Sequence, residues 1–341
     1  MDLQSLSSRY QPELDRALIS MVGNSSLPMY HMMRYHMGWV DASGEPRQKV
    51  GGKRLRPGLC LLACESVGGE WRKALPAAAA LELLHNFTLV HDDIEDGDRE
   101  RQGVPTVWHV WGEAQGINTG DAMHVLARLA LLSLNGNGVP PEKVLRAARM
   151  LDETCLRLCE GQHLDISYEG REDVGIEEYI TMIEGKTAAL FACSLELGAI
   201  LGADDGAVVE GLGRFGRNLG LAFQVQDDAL GIWGEAKVTG KSAASDILKK
   251  KKTFPVIHAL RNAEEGLRRE LLRIYAQENV RMSDIADVLH ILESVDARRI
   301  TTEAAERYIQ QALFELGRTN LSSEARNDLT SLAESLMGRQ Y

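Results

Sequence analysis

The 341-residue chain is 44% hydrophobic and 26% charged, an ordinary globular composition that excludes a disordered or collagen-like chain. Its 38 basic and 49 acidic residues leave a formal net charge of −11, which argues against a nucleic-acid partner. Any anionic ligand must therefore be met by a local cationic or metal-filled pocket. No apolar run reaches the ~20 residues of a membrane span. The start, Met1-Asp2-Leu3-Gln4, lacks the basic and then apolar pattern of a signal peptide. The expectation is a cytoplasmic protein with reduced thiols.

In chain order, helical periodicity is predicted over about 10–36 with a kink near Pro28, then 56–68, 73–96, 119–134, 140–167 and 176–202. It continues over about 206–232, 246–261, 264–277, 282–294, 298–318 and 322–338. Gly, Pro, Ser and Asp mark loops at 40–53, 97–106 and 233–245. With no linker and no repeat, residues 1–341 read as one all-α domain, a helical bundle. Segment 75–90 is apolar nearly all round, the pattern of a helix inside a large bundle around a deep pocket. Cys60/Cys64 and Cys155/Cys159, each spaced i, i+4 in apolar patterns, read as buried small side chains, not as metal ligands.

Two acidic segments carry the chemistry. In HDDIED (91–96), Asp92 and Asp96 are four apart and share a helix face at the end of an apolar helix. Two carboxylates so close repel, and a divalent cation resolves the conflict; Mg²⁺ binds one or two carboxylates plus water and phosphate oxygens. FQVQDD (223–228) is a second acidic pair closing an apolar helix, with Gln224 one turn before Asp227. A solvated helix end is the bland alternative for either pair alone; facing each other, the two would hold metal ions around one polyanion. Cationic residues accompany them: Lys53 and Arg56 in GGKRLRP at a loop-to-helix junction, Arg99 and Arg101 after the first acids, and Lys186 beside Thr187 in EGKT. Lys241 in TGK and the run KKKKT (249–253) complete the set.

GGKRLRP, HDDIEDGDRERQG, EGKT, FQVQDD, TGK and KKT, in that order, resemble the trans-isoprenyl diphosphate synthases, nearest to those making geranylgeranyl and farnesyl diphosphate. The resemblance spans about residues 30–262 and implies an all-α fold with a deep central cavity, usually a homodimer. It implies that Asp92 and Asp96 bridge Mg²⁺ on an allylic diphosphate, with Asp227 holding a third ion. Arg101, Lys186, Gln224 and Lys241 would contact the allylic substrate, with Lys252 nearby. Lys53, Arg56 and His85 would hold isopentenyl diphosphate. Gln162 and Asp165 resemble a polar pair lining the family's cavity. The implied reaction joins isopentenyl diphosphate to the allylic diphosphate, with Thr187 and Gln224 among the groups that stabilise the allylic cation.

Two positions depart from that pattern. Gln102 stands where a second arginine is usual, and Gly231 where the second motif's third aspartate is usual. Asp227, Gly231 and Glu235 have the spacing of a class I terpene cyclase motif, but glycine offers no ligand, and GGKRLRP has no purpose in a cyclase. A non-catalytic partner subunit is the other rival, disfavoured by the intact Asp pairs and lysines. Phe87, Thr88 and Leu84 lie five, four and eight residues before Asp92. Phe87 is some ~7.5 Å down the helix. In the family this chain resembles, a bulky residue at about that depth acts as a floor under the growing chain, and the position of Phe87 resembles that of geranylgeranyl diphosphate synthases. The resemblance implies a C20 product, with C15 next; otherwise Phe87 is simply core.

Overall fold

The computed structural model describes residues 1–47, 54–234 and 244–338. Lys53, Lys241 and Glu235, named above, lie outside the described residues. The regular structure of the described residues is almost wholly helical, and they form two compact units. One comprises Met1–Glu153, Cys193–Leu212 and Asn320–Asp328; the other Thr154–Ala192, Gly213–Thr319 and Leu329–Tyr341.

The first unit opens with helix α1 (Leu3–Val22), capped by the Asp2 carboxylate, which accepts from the Ser5 amide. The single kinked helix expected over 10–36 is instead two. Gly23, at φ 72°, ends α1, and α2 (Pro28–His36) starts afresh with Pro28 in its first turn, where a missing N–H is harmless. Helices α3 (Leu55–Ser66) and α4 (Leu75–Glu95) follow, the latter preceded by a 3₁₀ turn at Trp71–Ala74. The run Ala77–Ala80 is fully buried, so neighbouring helices approach α4 closely. Where a plain loop was expected over 97–106, β1 (Glu100–Arg101) pairs antiparallel with β2 (Val104–Pro105). Gln102 (φ 53°) and Gly103 (φ 73°) make the tight two-residue turn between them, with left-handed backbone at both positions. Helices α5 (Val107–Trp111) and α6 (Glu113–Leu132) complete this part; α5 was not anticipated, being too short for periodicity to register.

Helix α7 (Pro141–Glu169) leads into the second unit. There α8 (Ile176–Ile183) runs through one π-helical turn, Glu184–Ala188, into α9 (Ala189–Gly202). The stretch Ile176–Gly202 is long and apolar enough to cross a membrane by length and composition, contrary to the sequence expectation. Of its most apolar window, 67% is buried in the protein, as for a core helix. Helix α10 (Gly206–Trp233) carries the second acidic pair. The helix expected at 246–261 is broken: α11 (Ser245–Leu248) stops, and α12 (Phe254–Asn262) restarts after Thr253, with Pro255 in its first turn. Helices α13 (Glu265–Tyr275), α14 (Asp284–Ser294), α15 (Ala297–Gly317) and α16 (Ser323–Met337) follow. Ile232, Ile247, Val256, Leu271, Ile274 and Val288 pack into one core cluster of this unit.

Candidate active site

In the first unit, the last turn of α4 presents Asp92, Asp93 and Asp96. Successive residues of a helix point about 100° apart, and the three acids separate accordingly. Asp92 and Asp96 are half-buried, whereas Asp93 is only 1% exposed. The Arg101 guanidinium clamps Asp93, with Nε at 2.8 Å and Nη2 at 2.7 Å from Oδ1, and reaches Asp92 Oδ2 at 3.5 Å. Burial pushes the Asp93 carboxyl up to about 6, against the pull of Arg101. Arg101 thus organises the first motif from β1. The hairpin behind it is tied down by Tyr35, whose hydroxyl donates to the Pro105 carbonyl at 2.7 Å. Gln102, at the exposed turn, directs no charge inward.

One and two turns further back on α4 lie the other predicted residues. His85 Nε2 is 3.2 Å from Arg56 Nη1, at the start of α3. Burial first, and the Arg56 charge second, hold the His85 imidazole well below its ordinary 6.5, so it is neutral and accepts from the guanidinium. Thr88 donates its hydroxyl to the His85 carbonyl at 2.7 Å. Leu84 is fully buried. The Phe87 ring packs edge-on to His91 at 5.2 Å and against His124 of α6 at 5.1 Å between centroids.

In the second unit, the π-helical turn carries Lys186 and Thr187. π-Helical turns interrupt the normal backbone ladder and often mark functional positions. A tight helix crossing places this one: a Cβ on Gly161 of α7 would lie 2.2 Å from the Lys186 amide nitrogen, so only glycine permits the approach. Asp165, one turn along α7, accepts from Lys186 Nζ at 2.5 Å. Arg157 and Arg217 bind Glu184 from either side and hold its carboxyl below the usual range. Thr187 donates to Gln224 Oε1 at 2.8 Å, and Gln224 Nε2 donates to Asp228 Oδ1 at 2.9 Å.

The two acids of FQVQDD therefore separate as those of the first motif do. Asp227 is half-exposed, and Asp228 is buried. Besides Gln224, Asp228 accepts from the Tyr179 hydroxyl at 2.5 Å and from the Phe254 amide at 2.8 Å. Burial lifts its carboxyl to about 7, although all three bonds pull the other way. Lys252 is 8% exposed, its ammonium 5.4 Å from the centre of the Tyr275 ring; Lys250 donates to the Gln277 carbonyl at 2.8 Å. The lysine run is thus partly turned inward, onto the end of α13.

Sequence reasoning missed Arg54, Glu82, Asp93, Tyr179 and Asp246. Arg54 and Asp93 lie within GGKRLRP and HDDIED without being singled out, and Glu82 shows as a lone charge within the apolar run of α4; Tyr179 and Asp246 carry no such signal. Asp246 is 7% exposed, and its Oδ2 would lie 1.9 Å from a Cβ on Gly231. Its carboxylate fills the space that a side chain at 231 would need, which accounts for the glycine there.

Asp92, Asp96 and Asp227 offer hard oxygen donors suited to Mg²⁺. Among the described residues no three acidic, His or Cys side chains converge into a metal site of their own. The Asp92/Asp96 pair of the first unit and Asp227 of the second are each, taken by itself, the kind of donor Mg²⁺ accepts beside water and phosphate oxygens.

The chain matches the family described as Polyprenyl synthetase over residues 38–292. It is 40% identical over 306 residues to the geranylgeranyl diphosphate synthase of Mycobacterium tuberculosis, covering 89% of this chain and 85% of that protein. It is 38% identical over 315 residues to the (2E,6E)-farnesyl diphosphate synthase of that organism, covering 92% and 86%. The crystal structure of polyprenyl synthetase from Streptomyces coelicolor aligns with a TM-score of 0.91 at 37% identity, covering 98% of this chain and 99% of that one. Geranylgeranyl pyrophosphate synthetase from Pyrococcus horikoshii aligns at 0.87 and 35%, covering 99% of each. The fold is the all-α isoprenoid synthase fold, and the chain belongs to the polyprenyl synthetase family of trans-prenyltransferases.

Proposed function

We propose that this protein condenses isopentenyl diphosphate head to tail with an allylic diphosphate, giving an all-trans prenyl diphosphate of C20, with C15 next. The observation that carries the reading is the Arg56–His85 pair, 3.2 Å apart and seven residues upstream of Asp92 on the same helix. A cyclase, which ionises one prenyl diphosphate, has no use for a second cationic site there. The relatives named as farnesyl and geranylgeranyl diphosphate synthases support the same chemistry and leave C15 and C20 level; Phe87 at five residues before Asp92 favours C20.

Asp92, Asp96 and Asp227 would hold Mg²⁺, which supplies positive charge to the departing diphosphate. Arg101 and Lys186 would add charge at the same group, with Lys241 and Lys252 completing the set. Lys53, Arg56 and neutral His85 would grip isopentenyl diphosphate. The allylic C–O bond breaks, the isopentenyl double bond attacks the allylic carbon, and a proton leaves to the released diphosphate. The Thr187–Gln224 hydrogen bond orients two dipoles that can stabilise the transient cation. A homodimer is part of the proposal: Ile117, Val125, Leu129 and Leu132 lie along one side of α6 at 46–54% exposure, an apolar stripe suited to a second copy.

The test is turnover by the purified protein alone, with Mg²⁺, isopentenyl diphosphate and dimethylallyl, geranyl or farnesyl diphosphate, read by product mass. A C20 diphosphate that appears only with isopentenyl diphosphate is expected. A hydrocarbon made without it would favour the cyclase, and inactivity of the lone protein would favour a partner subunit.

A further inference from the structure

A buried cluster of charged residues lies at the first turn of α3. Arg54 is 6% exposed, and its guanidinium sits between two acids from different helices. Nη1 pairs with Glu82 Oε1 of α4, and Nε is 3.5 Å from Asp15 Oδ1 of α1. Asn86, one turn beyond Glu82, donates Nδ2 to the same Oε1 at 2.9 Å and to the Glu82 carbonyl at 2.8 Å. The Arg54 backbone is left-handed, at φ 47° and ψ 38°, a region uncommon for a residue with a Cβ.

The register of these contacts matters. Arg54 and Arg56 are two apart at the start of α3, and Glu82 and His85 are three apart on α4. The Arg54–Glu82 ion pair and the Arg56–His85 contact therefore join the same two helices less than one turn apart. Buried ion pairs are weak contributors to stability, because apolar residues of similar volume do as well or better. A pair of this kind, holding an unfavourable backbone conformation, is better suited to fixing geometry.

We propose that Arg54, with Glu82 and Asp15, is a positioning device for the isopentenyl diphosphate site. It holds the left-handed residue at the start of α3, and so sets Arg56 against His85. Arg54 itself touches no substrate. The inference rests on the reading that Arg56 and His85 bind isopentenyl diphosphate.

The experiment compares the full chain with Arg54→Lys, Asp15→Asn and the double variant Arg54→Met/Glu82→Leu, which removes the buried ion pair, in steady-state kinetics with each substrate varied and a thermal melt of each variant. The expected result is a KM for isopentenyl diphosphate raised about tenfold in Arg54→Lys and in the double variant, with the allylic KM and kcat within about twofold. The double variant should melt near the unaltered protein and yet keep the raised KM. An unchanged KM for isopentenyl diphosphate in folded Arg54→Lys overturns the proposal, as does a double variant with normal kinetics. Parallel loss in both substrates, tracking a lower melting temperature in all three variants, reduces the network to scaffolding and also overturns it. Failure of the unaltered protein to bind isopentenyl diphosphate, read by calorimetry, removes the functional reading itself and this inference with it.

Discussion

Asp246 Oδ2 occupies the space of a side chain at Gly231, 1.9 Å from where a Cβ would stand. Gly231 is one turn beyond Asp227, so a buried carboxylate from α11 lies on that face of α10. Gly231→Ala should overpack this contact and destabilise the protein by ~1–3 kcal/mol. Gly231→Asp, although it restores the usual acidic motif, should be worse, since it adds charge repulsion to the clash. Combining it with Asp246→Gly should recover stability. Thermal denaturation of the three variants checks this, and a single Gly231→Asp as stable as the unaltered chain would refute it.

Phe87 packs on His91 and His124, so its removal opens space between α4 and α6. Phe87→Ala should shift the product towards longer chains, read by mass. It should also cost ~3–5 kcal/mol in stability, as large-to-small core changes do. An unchanged product distribution in a folded variant would remove Phe87 as the floor.

Asp228 satisfies Tyr179, Gln224 and the Phe254 amide at once. Asp228→Ala would leave buried donors without an acceptor, and each such group costs ~1–3 kcal/mol. Asp228→Asn keeps an acceptor and should retain more than half of the lost stability. Equal chemical-denaturation midpoints for the two variants would contradict this account.

His36 is held down to about 3 by burial first and by the nearby Arg101 charge second. The native state therefore stays unprotonated where the unfolded chain, titrating near 6.5, takes up a proton. Stability is lost as pH falls below about 6.5, at ~1.4 kcal/mol per unit. Asp93 and Asp228, whose pKa values are raised, act in the opposite direction, so the measurable quantity is a difference. Between pH 7 and pH 5 the unaltered chain should lose ~2 kcal/mol relative to His36→Gln. Urea unfolding at the two pH values tests it; parallel stability curves would show that His36 does not titrate as described.

The helical class and most helix positions were legible because periodicity is a local property. The differences are also local in origin: Pro28 predicts a kink where it begins a new helix, and the break before Phe254 lies within a lysine run that gives no turn signal. The ring contact of Lys252 with Tyr275, a residue 23 positions away, is one that no motif links to it.

By itself the sequence determined the family and the chemical inventory. Acid pairs at the ends of apolar helices, with basic loops in a set order, need only spacing along the chain to be recognised. Which acid of each pair is buried was decided by tertiary structure alone. Adjacent helical residues diverge by about 100°, and the outcome depends on what packs on each side. Arg101 takes Asp93 and leaves Asp92 and Asp96 half-exposed; Tyr179 and Phe254 take Asp228 and leave Asp227 half-exposed. Partners such as Arg54–Glu82 and Gly231–Asp246 follow from where whole helices lie, and neither periodicity nor a motif encodes that for a reader of one chain.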